Sequence, residues 1–314
     1  MKSTCLTLLL LGGLSTFAQK PGKFYDYRWK ETDVAHARFY SVMQKTDSGW
    51  YCQDYYLRGP SLQMEGWYED SSQKIKNGRF SFIYPDKRVE SGGRYLHNKK
   101  QGLWLTYHPN GMMADSTVYE QGNPVGTSMA WYSDGSISDS SVYQADGSGV
   151  HVDWFLNGNP SSAGMLTTGY RRHGKWQFFH SNGKISAIEL YDHGKLVDKN
   201  YFDETGQPMD TTNNDRGAKY KGSDAAWLKY LDQHLEWPAG YRITKTDEAV
   251  VEISLTVDED GKILDPYVSI PFYPPFEKAA LDVIARSPKW VPAISHNRRV
   301  RAHFRQAVTF KQPE

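Results

Sequence analysis

The sequence has few cysteines, almost no net charge and only a short apolar run at its start, and each shortage excludes a class of protein. Two cysteines among 314 residues cannot build a scaffold of several disulfides. The 37 basic and 36 acidic residues leave a formal net charge of +1, so no overall charge favours nucleic acid or an anionic membrane. The N-terminal apolar run is shorter than the roughly twenty residues of a membrane-spanning helix, and Gly12 and Gly13 interrupt it.

Motifs for catalysis and metal binding are also missing. The ten histidines form no His-Glu-x-x-His pattern or other tight ligand cluster, and no Gly-x-Ser-x-Gly elbow occurs. Residues 169–175 have the spacing of a phosphate-binding loop, but Trp176 stands where Ser or Thr would bind magnesium. We therefore predict that the protein is not an enzyme and binds neither cofactor nor metal. The alternative, an enzyme, would need carboxylates or histidines that only the fold brings together.

The segment that ends at Ala18 has the features of a secretory signal peptide. Lys2 precedes a short apolar segment over 6–17, and small residues stand three positions and one position before the expected cleavage site. Cys5 precedes the apolar segment, which is too early for a lipid-modified cysteine. Cleavage would leave Cys52 alone, and we expect it to be a small core residue. We predict export to the periplasm, with cleavage favoured over a retained anchor.

Glycine and aromatic residues recur at nearly constant spacing in the middle of the chain. Five glycines are spaced 24, 23, 25 and 23 residues apart: Gly111, Gly135, Gly158, Gly183 and Gly206. An aromatic residue stands four positions before each: Tyr107, Trp131, Trp154, Phe179 and Phe202. The first four glycines follow Asn or Asp, which predicts two-residue β-turns because both residues tolerate positive φ. We predict consecutive β-hairpins whose aromatic residues stack on their neighbours.

The pattern Gly-x-Trp-x-x-Tyr-x-x-Asn-Gly at 102–111 resembles the bacterial variant of MORN repeats. The resemblance covers about 55–207, with two weaker copies at its start. It leaves a signal peptide over 1–18, a lead-in over 19–54 and a polar linker over 208–222. The aromatic residues of the sheet are candidates for glycan or peptide binding, but we expect most of them to form the core of the repeats.

Residues 223–314 have a different order of elements. Ser223 is a good N-cap for an amphipathic helix, and Trp237-Pro238 ends it. The apolar face of this helix is expected to hold Trp227, Leu228, Leu231 and Leu235. Residues 249–257 alternate between apolar and polar, which predicts a half-buried strand, and a turn around Gly261 returns the chain to a partner strand over 263–270.

A second helix and a last strand complete this order. Apolar residues from Phe276 to Ile284 fall at helical spacing, and Ser287-Pro288 ends the helix. The last strand has an apolar face with Val300, Ala302, Phe304, Val308 and Phe310. Its opposite face is basic, with Arg299, Arg301, His303 and Arg305. The predicted fold class is therefore a mainly β repeat array followed by a small α+β domain.

This C-terminal order resembles the C-terminal domain of TonB-family proteins. The matching segments are Trp237-Pro238, where the family usually has Tyr-Pro, the strand and turn ending at Gly261, Ala279-Ala280-Leu281, Pro-Lys-Trp-Val-Pro-Ala at 288–293 and the final strand. The resemblance implies an open sheet edge that accepts an extended peptide from an outer-membrane receptor. It also implies a transport-associated role.

The partner-binding residues that we predict on this basis are Arg299, Arg301, His303, Arg305, Trp237 and Pro238. A basic row favours an acidic peptide of the cell envelope, and self-pairing of the edge would give a homodimer. The chain departs from an ordinary TonB because a long Pro-rich spacer and a retained transmembrane helix are not expected. Alternatively, the repeats are a scaffold, immunity-like or glycan-binding protein, and the C-terminal domain is a docking or dimerisation module.

Overall fold

In the computed structural model, which describes residues 19–243 and 249–312, the first half of the protein is one antiparallel sheet of 16 strands. Each strand is hydrogen-bonded to the next one along the chain. The strands are β1 Gln19–Tyr25, β2 Phe39–Thr46, β3 Gly49–Tyr56, β4 Ser61–Tyr68, β5 Lys76–Ile83, β6 Val89–Leu96, β7 Lys99–Tyr107, β8 Met113–Glu120, β9 Asn123–Trp131, β10 Ile137–Tyr143, β11 Gly149–Trp154, β12 Pro160–Thr167, β13 Arg171–Phe179, β14 Ile185–Asp192, β15 Lys195–Phe202 and β16 Pro208–Met209. The predicted signal peptide lies outside the described residues.

The repeat sheet begins earlier than the repeat pattern indicates. The predicted lead-in over 19–54 supplies β1, β2 and most of β3, which pair in the same antiparallel ladder as the later hairpins. Its strands lack the Gly-aromatic spacing, so the pattern does not mark them. Cys52 on β3 is fully buried and free, as expected of a small core residue, and burial raises the pKa of its thiol to about 12.

The Asn-Gly and Asp-Gly turns of the repeats differ from the predicted two-residue type. The N–H of Gly111 donates to the carbonyl of His108 at 2.8 Å, and Gly111 has φ 88° whereas Asn110 is not in the positive-φ region. This geometry is a turn closed by one left-handed glycine. The side chain of Asn110 also bonds outside its own turn: its Nδ2 donates to the carbonyl of Ser133 in the next hairpin at 2.7 Å. The asparagine therefore ties neighbouring repeats together.

Aromatic residues from successive hairpins form the core of the repeat sheet, as predicted. The rings of Tyr95 and Trp104 meet edge to face with 4.8 Å between centroids, and Trp104 is 3% exposed. Two separate clusters result, one around Phe80 and Trp104 and one around Trp176 and Phe178. Each cluster buries surface that a single hairpin could not bury alone.

The second half is a small α+β domain, which confirms the predicted fold class. Its elements are α1 Asp224–His234, β17 Val250–Val257, β18 Ile263–Ile270, α2 Pro274–Ala285, β19 Ala293–Ser295, β20 Arg298–Val300 and β21 Ala302–Thr309. The main sheet has the order β18-β17-β21, and β19 and β20 form a separate hairpin. One hydrophobic core lies between this sheet and the helices, centred on Ile253, Leu255 and Phe276.

Two details of this domain differ from expectation. Leu228 is 63% exposed, and Tyr230 is buried instead because its hydroxyl reaches the carbonyl of Val283 on α2 at 3.1 Å. The last strand is not continuous from Arg299, because Arg301 separates β20 from β21. Within the described residues, no helix is both long enough and apolar enough to cross a membrane.

Candidate binding site

The two halves contact each other at several places, and one of them is the turn of the short β19–β20 hairpin. His296 stacks its imidazole on the ring of Phe178 in the repeat sheet, with 3.9 Å between ring centroids. Its Nδ1 lies 2.9 Å from Oε1 of Glu189, and Nη1 of Arg172 lies 3.0 Å from its Nε2. Because a guanidinium can only donate and a carboxylate can only accept, Nε2 of His296 accepts from Arg172 and its Nδ1 donates to Glu189. An aromatic face and two charged groups therefore hold the turn.

Glu189 is the buried charge at the centre of this contact. Its side chain is 2% exposed, and it accepts a second hydrogen bond from the hydroxyl of Tyr191. Burial alone would raise the pKa of Glu189, but the hydrogen bonds from His296 and Tyr191 outweigh burial and hold the pKa below its usual value. The docked arrangement therefore favours the ionised carboxylate.

The two residues after His296 fix the same turn. Asn297 donates through Nδ2 to the carbonyl of Phe202 at 2.9 Å, and Nη2 of Arg298 lies 3.2 Å from the hydroxyl of Ser161. Arg298 is 7% exposed, and burial lowers the pKa of its guanidinium to about 10, so it remains charged at neutral pH. We call residues 296–298 the docking turn.

Sequence reasoning missed the docking turn. The partners of His296 lie 107 and 124 positions away in the chain, so no local pattern marks them. Both His296 and Asn297 have positive φ, which is typical of a tight hairpin turn. That signal predicts a turn but not what the turn contacts.

β21 forms one edge of the three-stranded sheet, because β17 is its only sheet neighbour in the described part of the chain. The two strands pair over eight residue pairs with no register shift. The N–H of Phe310 donates to the carbonyl of Ala249 at 2.8 Å, so the even-numbered residues of β21 turn their backbone groups toward β17. The odd-numbered residues turn theirs outward, and all four are exposed: His303, Arg305, Ala307 and Thr309.

The other edge strand is less regular. β18 has Pro266 in its interior, and Asp265 beside it has φ 48°. Its pairing with β17 shifts register twice. Proline and bulges are the usual devices that protect a sheet edge from further pairing. β21 has neither, so it is the better of the two edges for strand addition.

The predicted basic row lies on or beside this edge, but acidic neighbours partly neutralise it. Glu259 lies 3.4 Å from Arg301, and Glu252 lies 4.0 Å from Arg305. Both acids belong to the same domain. The row therefore carries less free positive charge than the sequence alone suggests.

His303 contributes still less positive charge. Its Nδ1 lies 2.9 Å from the hydroxyl of Thr256, and its Nε2 lies 3.2 Å from that of Ser254. Partial desolvation lowers the pKa of His303, and the nearby Arg305 and His108 lower it further. The neutral imidazole is therefore favoured at pH 7.

Three of the predicted residues lie away from the open edge of β21. Arg299 is on β20, exposed, with a carboxylate oxygen of Glu204 at 3.8 Å. Trp237 and Pro238 are half-buried, and the Trp237 ring packs edge to face on Phe276 at 5.1 Å. Trp237 therefore covers the core of the domain.

A cleft of about 560 Å³ separates the repeat sheet from the face of the small sheet that carries His303. Its walls hold four tyrosines: Tyr84, Tyr107 and Tyr132 from the repeats and Tyr267 from β18. The guanidinium of Arg301 lies 4.2 Å from the centre of the Tyr132 ring. The cleft is thus aromatic and weakly basic, and sequence reasoning did not predict it because both halves of the chain form it.

Two groups of side chains have the ligand atoms of a metal site, although the sequence shows no metal motif. Asp139, His151 and Asp153 form one group, and His173, Asp192 and His193 form the other. In the first group both imidazole nitrogens are already occupied, at 3.2 Å from Asp139 and 3.1 Å from Asp153. The three side chains of the second group are more exposed.

Comparison with protein families agrees with this architecture. Residues 243–312 match the family described as Gram-negative bacterial TonB protein C-terminal. Residues 172–193, which span β13 and β14, match the MORN repeat variant. The C-terminal domain is therefore similar to the TonB C-terminal domain. No curated protein matches the chain.

These matches confirm both resemblances and their order along the chain. They support a TonB-like protein of the bacterial envelope. The TonB C-terminal domain is transport-associated and non-enzymatic as a family. The hairpin that matches the MORN repeat variant also holds Glu189, so this repeat contacts the C-terminal domain directly.

Proposed function

We propose that the protein is an exported, non-enzymatic envelope protein whose TonB domain binds an extended peptide along the open edge of β21. The observation that carries this proposal is the set of outward backbone groups on four exposed residues in regular register. An added strand pairs with such groups, and each bond contributes about 1 kcal/mol net. The partner would be a segment of an envelope protein, such as a TonB-dependent outer-membrane receptor.

The side chains of the cleft would determine which peptide sequences the edge prefers. Alternate side chains of an added strand lie on the same face as His303 and Arg305, which is the face toward the repeats. There they would meet the tyrosines and Arg301. Because Glu259 and Glu252 offset the two arginines, we expect a preference for aromatic or mildly acidic peptides and not for densely acidic ones.

The repeat array takes the place of a spacer in this proposal. The docking turn fixes the TonB domain on the repeat sheet through His296, Asn297 and Arg298. The domain is therefore presented in one orientation, and part of its binding surface belongs to the repeats.

A proline substitution tests the strand-addition mechanism. His303→Pro removes one outward N–H but leaves the inward groups that pair with β17, and His303→Ala removes the imidazole and keeps the N–H. We expect His303→Pro to retain a cooperative melt and to lose receptor capture from outer-membrane extract, whereas His303→Ala retains most of it. Light scattering on both variants measures the molar mass and so shows whether the β21 edge pairs with a second copy of the chain. Equal capture by both variants, each folded, would contradict the mechanism.

A second candidate function follows from the origin of the cleft. Three of its four tyrosines come from the repeats, which favours a repeat array that binds a glycan with the TonB domain as a docking module. Tyr107→Ala should then abolish binding of peptidoglycan fragments, while His303→Pro has no effect. Loss of partner binding in His303→Pro, with peptidoglycan binding unchanged in Tyr107→Ala, supports strand addition.

A further inference from the structure

We propose that His173, Asp192 and His193 form a binding site for a divalent transition-metal ion such as Zn²⁺. The imidazole nitrogens and a carboxylate oxygen of these residues all lie within 4.8 Å of one another. His173 is on β13, Asp192 is the last residue of β14, and His193 lies in the turn before β15. Two imidazoles and one carboxylate are ligands of the type that zinc, nickel and copper prefer. The inference does not depend on the proposed peptide-binding function.

The geometry is close to what a metal ion requires. Nδ1 of His193 lies 2.6 Å from Oδ1 of Asp192, and Nδ1 of His173 lies 3.8 Å from the same oxygen. Ligand atoms about 2.0–2.1 Å from one tetrahedral ion are separated by roughly 3.3–3.5 Å. The three side chains are about half exposed or more, so small rotations of exposed rings bring them to these separations.

The open coordination of this group distinguishes it from the Asp139–His151–Asp153 group. There the two nitrogens of a single imidazole lie 3.2 and 3.1 Å from the side-chain oxygens of Asp139 and Asp153. In the His173 group, Nδ1 of His193 bonds to Asp192 and Nδ1 of His173 accepts a long bond of 3.4 Å from the His193 N–H, but Nε2 of neither histidine has a hydrogen-bond partner among the residues that the structure describes. A bound ion would replace one proton between His193 and Asp192 and would leave further positions for water.

An earlier repeat shows that the backbone does not require these histidines. Gln101 stands before Gly102 as His173 stands before Gly174, and Gln121 follows Tyr119 at the same distance as His193 follows Tyr191. The backbone N–H of Gln121 donates to the Gln101 side chain at 3.0 Å, and the N–H of His193 donates to His173 at 3.4 Å. A glutamine at the position of His173 accepts the same backbone hydrogen bond at this turn. The repeat fold therefore does not require imidazoles at these positions.

One neighbour opposes binding. Lys195 is the strand partner of Asp192 across the β14–β15 turn. Its ammonium therefore lies on the same hairpin end as the three side chains and repels a cation there. Removing that charge should strengthen binding by about two- to fivefold at low salt.

Titration of the untagged full chain with ZnCl₂, after treatment with a chelator, tests the site. We expect one ion per chain by calorimetry, and d–d absorption bands when Co²⁺ is used instead. His173→Gln and His193→Gln, which copy the earlier repeat, should each weaken affinity by at least about tenfold. Lys195→Gln should strengthen it, and His151→Gln should leave it unchanged.

Three results would overturn the proposal. The first is no heat and no Co²⁺ spectrum with the wild-type chain. The second is undiminished binding in the His173→Gln/His193→Gln double variant with an unchanged melt. The third is loss of binding in His151→Gln alone, which would place the ion in the other group.

Discussion

Eighteen buried residues form a single cluster in the C-terminal domain, whereas the described part of the repeat sheet has separate clusters of six and five, and its Phe39 and Tyr56 pack with Ile270 of the C-terminal domain. Between those clusters the sheet buries polar groups, such as the hydroxyls of Thr117 and Ser128, which are 2.6 Å apart. A single-layer sheet of hairpins can shield its interior only through its neighbours. The domain is therefore expected to unfold as one unit, and the sheet to respond locally.

The largest expected effect is in the core of the domain. Phe276→Ala removes a fully buried ring and should cost about 3–5 kcal/mol. The comparison predicts that this loss unfolds the whole domain, whereas Trp104→Ala weakens exchange protection only in hairpins next to β7. Hydrogen exchange by mass spectrometry on both variants measures the extent of opening. Global opening in Trp104→Ala would contradict the expectation that the repeat sheet opens only locally.

The contact between the two halves should give the next largest effect. Glu189→Gln keeps the shape of the side chain but removes the charge that accepts from His296 and Tyr191, at a cost of about 1.5–3 kcal/mol. We expect faster hydrogen exchange in the β19–β20 hairpin and little change in β17. Asp192→Asn, on the same strand as Glu189 but exposed, is the control. Equal exchange in both variants would mean that the docking turn is not held by charge.

Acid should weaken the same contact. The pKa of Glu189 is lower in the folded protein than in the unfolded chain, so its stabilisation is complete above its unfolded value of about 4.3 and is lost as pH falls through the folded value. The stability of wild type should therefore fall more steeply than that of Glu189→Gln below about pH 4.3. Denaturant titrations at several pH values measure the two slopes. Parallel slopes would contradict this assignment.

The smallest effect should come from the ties between repeats. Asn110→Ala removes two exposed hydrogen bonds, one to the next hairpin and one from the Met112 N–H of its own turn, and should cost about 0.5–1.5 kcal/mol in total. Asp134→Ala is a comparison, because Asp134 stands at the same position and bonds within its own turn to Ser136. We expect Asn110→Ala to raise hydrogen exchange in both adjoining hairpins, and Asp134→Ala to raise it only in its own hairpin.

The sequence predicted what local periodicity controls. The hairpin repeats follow from the Gly–aromatic spacing, and the order of elements in the C-terminal domain follows from its alternating strands and proline stops. Leu228 was wrongly placed because a single helix shows its apolar stripe but not which partner will cover it. The turn type was wrong because Asn110 keeps an ordinary negative φ: its Oδ1 accepts from the Met112 N–H of its own turn, and its Nδ2 donates to the next hairpin.

Long-range contacts set the rest. The docking turn and the tyrosine cleft depend on residues about a hundred positions apart, and no spacing in the sequence records such pairs. The basic row was visible in the sequence, but its neutralisation by Glu259 and Glu252 required the fold. The metal-ligand group is visible only after the β13–β14 pairing brings His173 to Asp192 and His193.

Amide exchange along β21, followed residue by residue by NMR, tests the central claim most directly. In the free protein the N–H groups of Phe304, Gln306 and Val308, which face β17, should exchange slowly, and those of His303, Arg305, Ala307 and Thr309 should exchange fast. Saturation with a receptor segment should slow the second set to the level of the first. Outward amides that are already protected in the free monomer, or that stay unprotected in the complex, would contradict binding at this edge.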